Sequence, residues 1–239
     1  MNVVRYVDRP DLRAIRWETL SGRAFPEYMH HNQSGTRYWG RLYDAHPDYQ
    51  RALVDCDELV AEFHSVPMPW DGTLADLPSG WDEAFTRAFE SDREPGVLCA
   101  LALSVLPERQ GERLSSVMLN AMRAAASDGG LTKLVAPVRP TLKAQYPLIP
   151  IEEYIGWRRA DGRHFDPWIR IHEHVGGRVL APATDSMTIE APVADWEEWT
   201  KMRLPADGTY VVPEMLAPLL VTNGIGRHVE PNVWIVHEL

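Results

Sequence analysis

The sequence has little cysteine, almost no lysine and no long apolar run, and each shortage removes a class of protein. Two cysteines in 239 residues, Cys56 and Cys99, build neither a disulfide framework nor a cysteine-rich zinc cluster. Cys99 lies in an apolar run and Cys56 among acids, so two free thiols are expected, and with them a reducing, cytoplasmic setting. Lys133, Lys143 and Lys201 are the only lysines, leaving 21 of the 24 basic residues as arginine. That bias, with many alanines, is a compositional association with GC-rich bacterial genomes. Against 34 acidic residues the formal net charge is −10. A general nucleic-acid binder neutralises phosphate with clustered basic side chains, and this balance argues against one. The longest apolar run, Val97 to Leu106, is too short to span a bilayer as a helix. The first residues lack the basic and apolar regions of a signal peptide. Neither a membrane nor a nucleic-acid partner is expected.

The length suits one large domain or two small ones, and the pattern favours one. Asn2 to Val7 reads as a strand and Asp8 to Leu20 as a helix with Pro10 in its first turn. Phe25 to Pro47 reads as loop and short helix. Tyr49 to Cys56 and Glu58 to Pro67 read as strands joined by an acidic turn. Trp81 to Glu90 is a short amphipathic helix. Val97 to Leu106, bounded by Pro95-Gly96 and Pro107, looks like a strand buried on both faces. From Gly111 to Ser127 a helix follows, with Leu114, Val117, Met118, Ala121, Met122 and Ala125 as its apolar stripe and Gly129-Gly130 as its stop. Leu131 to Ala136 is a second buried strand. Asp166 to Val175 is a helix, Met187 to Val193 a strand and Trp196 to Met202 a helical turn. Leu216 to Val221 and Asn232 to Glu238 close the chain as strands. Alternation without a break gives one α/β domain over 1–239, with a core of about 1–193 completed by strands and loops in 194–239.

Chemistry concentrates in Val97 to Leu119, where a buried strand exits through a turn holding Gln110-Gly111 directly into a long helix. A helix start leaves backbone N–H groups unpaired and partly positive, which suits phosphate. Many strand–turn–helix junctions hold a glycine and bind nothing, so the junction alone leaves both readings open. There is no Walker loop, no Gly-x-Gly-x-x-Gly after a strand and no Gly-x-Ser-x-Gly elbow.

The same stretch resembles the acyl-CoA-binding motif of the GNAT acetyltransferase superfamily. Its Val-x-Pro exit matches Val105 and Pro107, and its loop, Gln/Arg-x-x-Gly-x-Gly/Ala, matches Gln110, Gly111, Glu112, Arg113, Leu114 and Ser115. Ile171 to Gly177 resembles that family's Leu-Tyr-Glu-Lys-Leu-Gly-Phe segment, with His172 at the Tyr position and Gly177 replacing the Phe. The resemblance implies a mixed, splayed central sheet flanked by helices. It implies that backbone N–H groups from Gln110 to Ser116 hold a CoA pyrophosphate. The strand at Leu103, Ser104 and Val105 would pair with the pantetheine arm, and His172 would be the acid that protonates the thiolate. Arg113 and Ser115 depart from the motif. Arg113 is expected to swing outward, since a helix-start residue at ordinary φ/ψ needs no glycine.

For a base, Glu62 and His64 are two apart on one strand and share a face. A solvated strand face is the competing reading. His30-His31 beside Tyr28 is a third option. The strand Val97–Leu106 carries no carboxylate and offers no base. His31 and Trp70, the latter in the loop Pro67 to Gly72, are candidates to line an acceptor pocket; for Trp70 a plain surface turn competes. His172 and His174 face differently on a helix and are poor metal co-ligands, so no metal is expected.

The resemblance therefore implies an N-acyltransferase that uses acetyl-CoA or another acyl-CoA as co-substrate and a small-molecule amine as acceptor. A homodimer is the commonest assembly for such a chain. Two alternatives stand beside this: the same fold used for other acyl-CoA chemistry, and a non-enzymatic interaction module with a tryptophan-rich surface.

Overall fold

A computed structural model describes every residue from Met1 to Leu239. Its frame is a nine-stranded sheet: β1 Asn2–Arg5, β2 Gln50–Asp55, β3 Glu58–Met68, β4 Val97–Val105, β5 Lys133–Val138, β6 Arg178–Pro192, β7 Gly208–Tyr210, β8 Leu219–Thr222 and β9 Ile225–Glu238. The order is β1-β2-β3-β4-β5-β9-β8-β7, with β6 also paired to β9. Only β4 and β5 run parallel. β9 is long enough for β5 and β8 to take successive lengths of one edge, while β6 pairs along the other.

The helices are α1 Pro10–Arg16, α2 Gln33–Tyr38, α3 Trp81–Glu90, α4 Leu114–Asp128, α5 Ile151–Tyr154, α6 Pro167–His174 and α7 Val193–Thr200, with short turns between. The α4 helix buries Leu114, Met118, Leu119, Met122, Ala125 and Ala126. Val117, expected in that stripe, is 43% exposed, so the buried face is rotated toward Leu119 and Ala126. Gly130, at φ +72, turns the chain after α4. Asp166 caps α6 by accepting the N–H groups of Trp168 and Ile169 at 2.9 and 3.3 Å, and Pro167 fixes its first turn.

Register assigns each strand residue to a face, because opposed residues point to the same side. Ala136, Val138, Val233 and Ile235 meet Ile151 and Tyr154 of α5 and Ile169 of α6 in a small separate core. Arg123 of α4 donates to the Val175 carbonyl just past α6, so α4 lies on this first face too. The second face carries Cys99, Val135, Trp234 and Val236, and is covered by α1, α2, α3 and α7.

Several expected boundaries move. The helix expected over Asp8 to Leu20 divides into a tight turn at Tyr6–Asp8, α1, and a wider π turn at Trp17–Ser21. β6 and β9 start far earlier than expected, at Arg178 and Ile225, because each is the other's partner for 11 paired positions. β9 lies inside the sheet, so the C-terminal residues are central to it. No helix is long and apolar enough to cross a membrane.

Candidate active site

The only parallel pairing in the sheet stops early. Val97, Leu98 and Cys99 pair with Lys133, Leu134 and Val135, and beyond them β4 and β5 separate. β5 stays bonded to β9 up to Val138, and β4 stays bonded to β3 up to Val105. The sheet therefore opens as a V between Ala100–Val105 and Ala136–Val138. A bulge sits near its apex. His64 pairs with Ala102 and Ser65 with Ala100, which leaves Leu101 opposite no residue. Its carbonyl accepts the Trp81 indole N–H at 2.8 Å.

The open end of β4 leads through a tight turn at Pro107–Arg109 into α4. Ser116 and Val117 are the first residues whose N–H groups bond into the helix, both to the Arg113 carbonyl. The N–H groups of Gly111, Glu112, Arg113, Leu114 and Ser115 meet no protein acceptor. Five adjacent free donors at the positive end of a 15-residue helix form a cradle for an anion. Arg109 fixes its base by donating to Glu112 at 2.7 Å and to Asp55 at 3.0 Å.

Two residues of this cradle have left-handed backbone, Gly111 at φ +91 and Arg113 at φ +62. The expectation for Arg113 is corrected here: the position does demand the conformation that suits glycine. Arg113 adopts it at a cost of about 1–2 kcal/mol. Its side chain is exposed and makes no hydrogen bond or ion pair, which leaves a free guanidinium beside the cradle. The helix begins at Leu114, three residues later than expected. Ser115 and Ser116 are half-buried on its first turn. Leu103 and Val105 face the α4 side, whereas Ser104 faces the other, with a buried hydroxyl that has no partner.

Glu62 and His64 do share a face, the second one, across from Ser104 and Ala102. Neither is a free base. Arg16 donates to both Glu62 oxygens, from Nε at 2.9 Å and Nη2 at 2.8 Å, and the Tyr6 hydroxyl donates at 2.5 Å. Burial opposes the charge, but the surrounding His64 and Arg16 groups more than offset it and hold the Glu62 carboxyl well below its ordinary range. Gln50 spends its amide N–H groups on the His46 and Ser65 carbonyls, so its Oε1 accepts from His64 Nδ1 at 3.1 Å. His64 Nε2 stands 3.0 Å from Arg16 Nη2 and 3.2 Å from Glu62 Oε2, so both ring nitrogens are engaged. Burial lowers the His64 affinity for a proton, and the adjacent Glu62 carboxylate works against that shift. Glu62 as general base is thus corrected to a locked anion.

A second cluster lies on the same face, across the V. Arg139 stands one residue past β5, in step with Val135 and Pro137. Its Nε donates to Glu230, and its Nη2 donates to the Tyr28 hydroxyl at 3.2 Å and to the Glu214 carbonyl at 2.6 Å. His228 Nε2 completes the set, 3.0 Å from Glu230 Oε2. Burial opposes the Glu230 charge, but Arg139 and His228 hold its carboxyl below its ordinary range. The sequence reading missed Arg16, Tyr6, Arg139 and Glu230. The signals are faint: an arginine between Val138 and Pro140 after a buried strand, and a Glu and a His two apart in a strand, as at Glu62 and His64 and again at His228 and Glu230.

His172 is on the opposite side of the sheet from Glu62 and His64. It is 2% exposed, with Nδ1 3.0 Å from Nε2 of His237, the neighbour of Leu134. Burial first, then the facing His237, lowers its pKa to about 3, so it is no imidazolium at neutral pH. Its burial and its pairing with His237 speak against the acid role expected of it. His31 stacks on Trp199 of α7 at 4.0 Å and pairs with Glu27 at 3.1 Å. Trp70 is buried and closes its own loop through an indole N–H to the Thr73 carbonyl at 2.8 Å. The structure does not bring His31 and Trp70 together.

No family model matches the sequence. The chain is 30% identical, over 97% of its length and 91% of the relative's, to an arginine N-acetyltransferase, avaD, of Aspergillus versicolor. Among solved structures it is similar to the loading GNATL domain of CurA from Lyngbya majuscula, at 19% identity, 99% and 96% coverage and a TM-score of 0.59. It is similar also to the GNAT-like decarboxylase GphF in complex with isobutyryl-CoA, at 16% identity, 100% and 99% coverage and a TM-score of 0.60. At such identities the two structures speak for the fold alone.

Proposed function

This chain belongs to the GNAT superfamily of N-acetyltransferases, and on that premise we propose that it transfers an acetyl group from acetyl-CoA to the amine of a small amino acid of the arginine type. One observation carries the reading: five consecutive unpaired N–H groups at the start of α4, at the wide end of the V between β4 and β5. They suit a pyrophosphate, and Arg113 adds a mobile positive charge beside it. The strand edges freed by the splay can bond an extended amide-containing arm. The name of the fungal relative supports acetyl as the acyl group and arginine as the acceptor. The two free thiols fit a cytoplasmic protein.

Acyl transfer here means attack of an uncharged amine nitrogen on the thioester carbonyl carbon. The C–S bond then breaks, the sulfur leaves as thiol, and one proton leaves the nitrogen. The edge of β4 freed by the splay beyond Cys99 is where a backbone N–H is suited to polarise the carbonyl oxygen. With Glu62 and His64 both held in hydrogen bonds, we assign the relay of that proton from the nitrogen to the departing sulfur to the hydroxyls of Ser104 and Tyr43. Both hydroxyls are buried without a protein partner, and the Tyr43 ring lies 5.7 Å from that of His64.

The test is calorimetric titration with acetyl-CoA, desulfo-CoA and adenosine bisphosphate, followed by mass spectrometry of L-arginine incubated with enzyme and acetyl-CoA. One-site binding and a product heavier by one acetyl group, with equal release of thiol, are the expected results. CoA binding without any acylated amine would move the cleft to other acyl chemistry. No CoA binding would overturn the cradle.

A further inference from the structure

The guanidinium of Arg139 is bonded along only part of its edge. Nε is committed to Glu230, and Nη2 to Tyr28 and the Glu214 carbonyl. Nη1 has no protein partner and is not buried, and the side chain as a whole is 22% exposed. The bonded edge comes from three separate places, β9, the turn holding Tyr28, and the segment around Glu214, so the plane of the group is fixed in space. Glu214 itself takes left-handed backbone, φ +67, while presenting its carbonyl there. Lys143 holds the same segment through the Leu216 carbonyl at 2.6 Å. A planar cation held on one side and open on the other is oriented before anything binds, which lowers the ordering cost of binding.

Its position matters as much. Arg139 lies on the α1/α3/α7 face of the sheet, at the end of the strand that diverges from β4. The phosphate cradle belongs to α4, on the other face. An acyl chain reaching through the V from the cradle would emerge on the face where Arg139 stands. Arg16, the buried arginine of this face, is packed between the Tyr43 and Trp39 rings at 6.0 and 5.9 Å and is more enclosed.

We propose that Arg139, through its free Nη1 edge, binds the carboxylate of the acceptor, and so makes the enzyme selective for amino acids over amines that lack a carboxylate. This rests on the reading of the cleft as an amine-acylating site. The Glu230 carboxylate, the Tyr28 hydroxyl and the Glu214 carbonyl then act as positioning groups that keep the guanidinium turned to the substrate.

The experiment compares kcat/KM for L-arginine against L-arginine amide, and for L-lysine against L-lysine amide, at saturating acetyl-CoA. Each amide keeps the α-amino and side-chain groups and replaces the carboxylate by a neutral amide, and rates are compared at equal concentration of uncharged amine. The wild-type enzyme should prefer the acids by about 10- to 100-fold. Arg139→Lys keeps the charge but loses the fork, and Arg139→Gln combined with Glu230→Gln removes both buried charges together. In both variants the preference should fall toward unity, with the KM for the acid rising by more than the KM for its amide. Equal rates of wild type on acid and amide overturn the proposal and leave amine acylation standing. A preference that survives in both variants also overturns it. No thiol release with any of the four amines removes the acceptor reading itself, and this inference with it.

Discussion

Arg16, from the end of α1, and Glu62, in the middle of β3, are 46 residues apart and meet through two parallel hydrogen bonds where Glu62 is 1% exposed. The pair ties the first helix to the sheet at the edge of the V. Glu62→Gln leaves the Arg16 charge buried without its counter-charge and should cost about 3–5 kcal/mol of unfolding free energy. Arg16→Met combined with Glu62→Leu should recover much of that loss, as urea titrations of the three variants would show. The sign of the pH effect follows from a folded pKa below the ordinary carboxyl value of 4.5. The pair's contribution is complete above that pH and is lost as pH falls below it.

Arg113→Gly separates two effects of one residue. The glycine fits φ +62 without strain and should raise stability by up to about 1 kcal/mol. It also removes the free charge beside the cradle, so acetyl-CoA should bind more weakly and with a shallower dependence on salt. Thermal melts and calorimetry at two ionic strengths read the two effects independently.

His172 and His237 predict acid lability in a different window. Burial first, then the facing His237 for His172 and Arg123 for His237, holds their folded pKa values at about 3 and about 4, against 6.5 for a free imidazole. The unfolded chain binds protons first, so stability is full above about pH 6.5 and declines as pH falls toward 4. The double substitution His172→Phe and His237→Leu should flatten that decline. Its pH–rate profile near neutrality should match the wild type, because His172 is not charged there. A profile shifted in the double variant would return His172 to catalysis.

Gly226 on β9 leaves no room for a side chain. An added Cβ would lie 2.4 Å from the Trp196 ring, whose indole N–H donates to the Gly226 carbonyl at 2.9 Å. Gly226→Ala should cost about 1–3 kcal/mol and loosen α7 from the sheet, visible as a red-shifted tryptophan emission and earlier melting.

What the sequence disclosed depended on how local the cause was. The run Val97 to Leu106 and the stripe of α4 are local patterns, so β4, the turn and the helix could be read directly. The splay could not, because it results from β5 keeping β9 and β4 keeping β3. The same holds for chemistry. Glu62 and His64 were visible as a pair, but their states depend on Arg16, Tyr6 and Gln50, which arrive from β2 and the first helical segment. Arg113 shows the opposite failure: a local rule about helix starts was applied where the preceding turn had already imposed a left-handed residue.

The central placement of β9 also sets the order in which the molecule can be built. Synthesis runs from the N-terminus, and β5 is made almost ninety residues before its partner β9. Until then β6 has no partner strand and β5 lacks its β9 neighbour, and such open edges recruit strands from other chains. The nascent protein thus cannot close its sheet while it grows, and its yield should depend on whatever shields those edges until the last strand arrives.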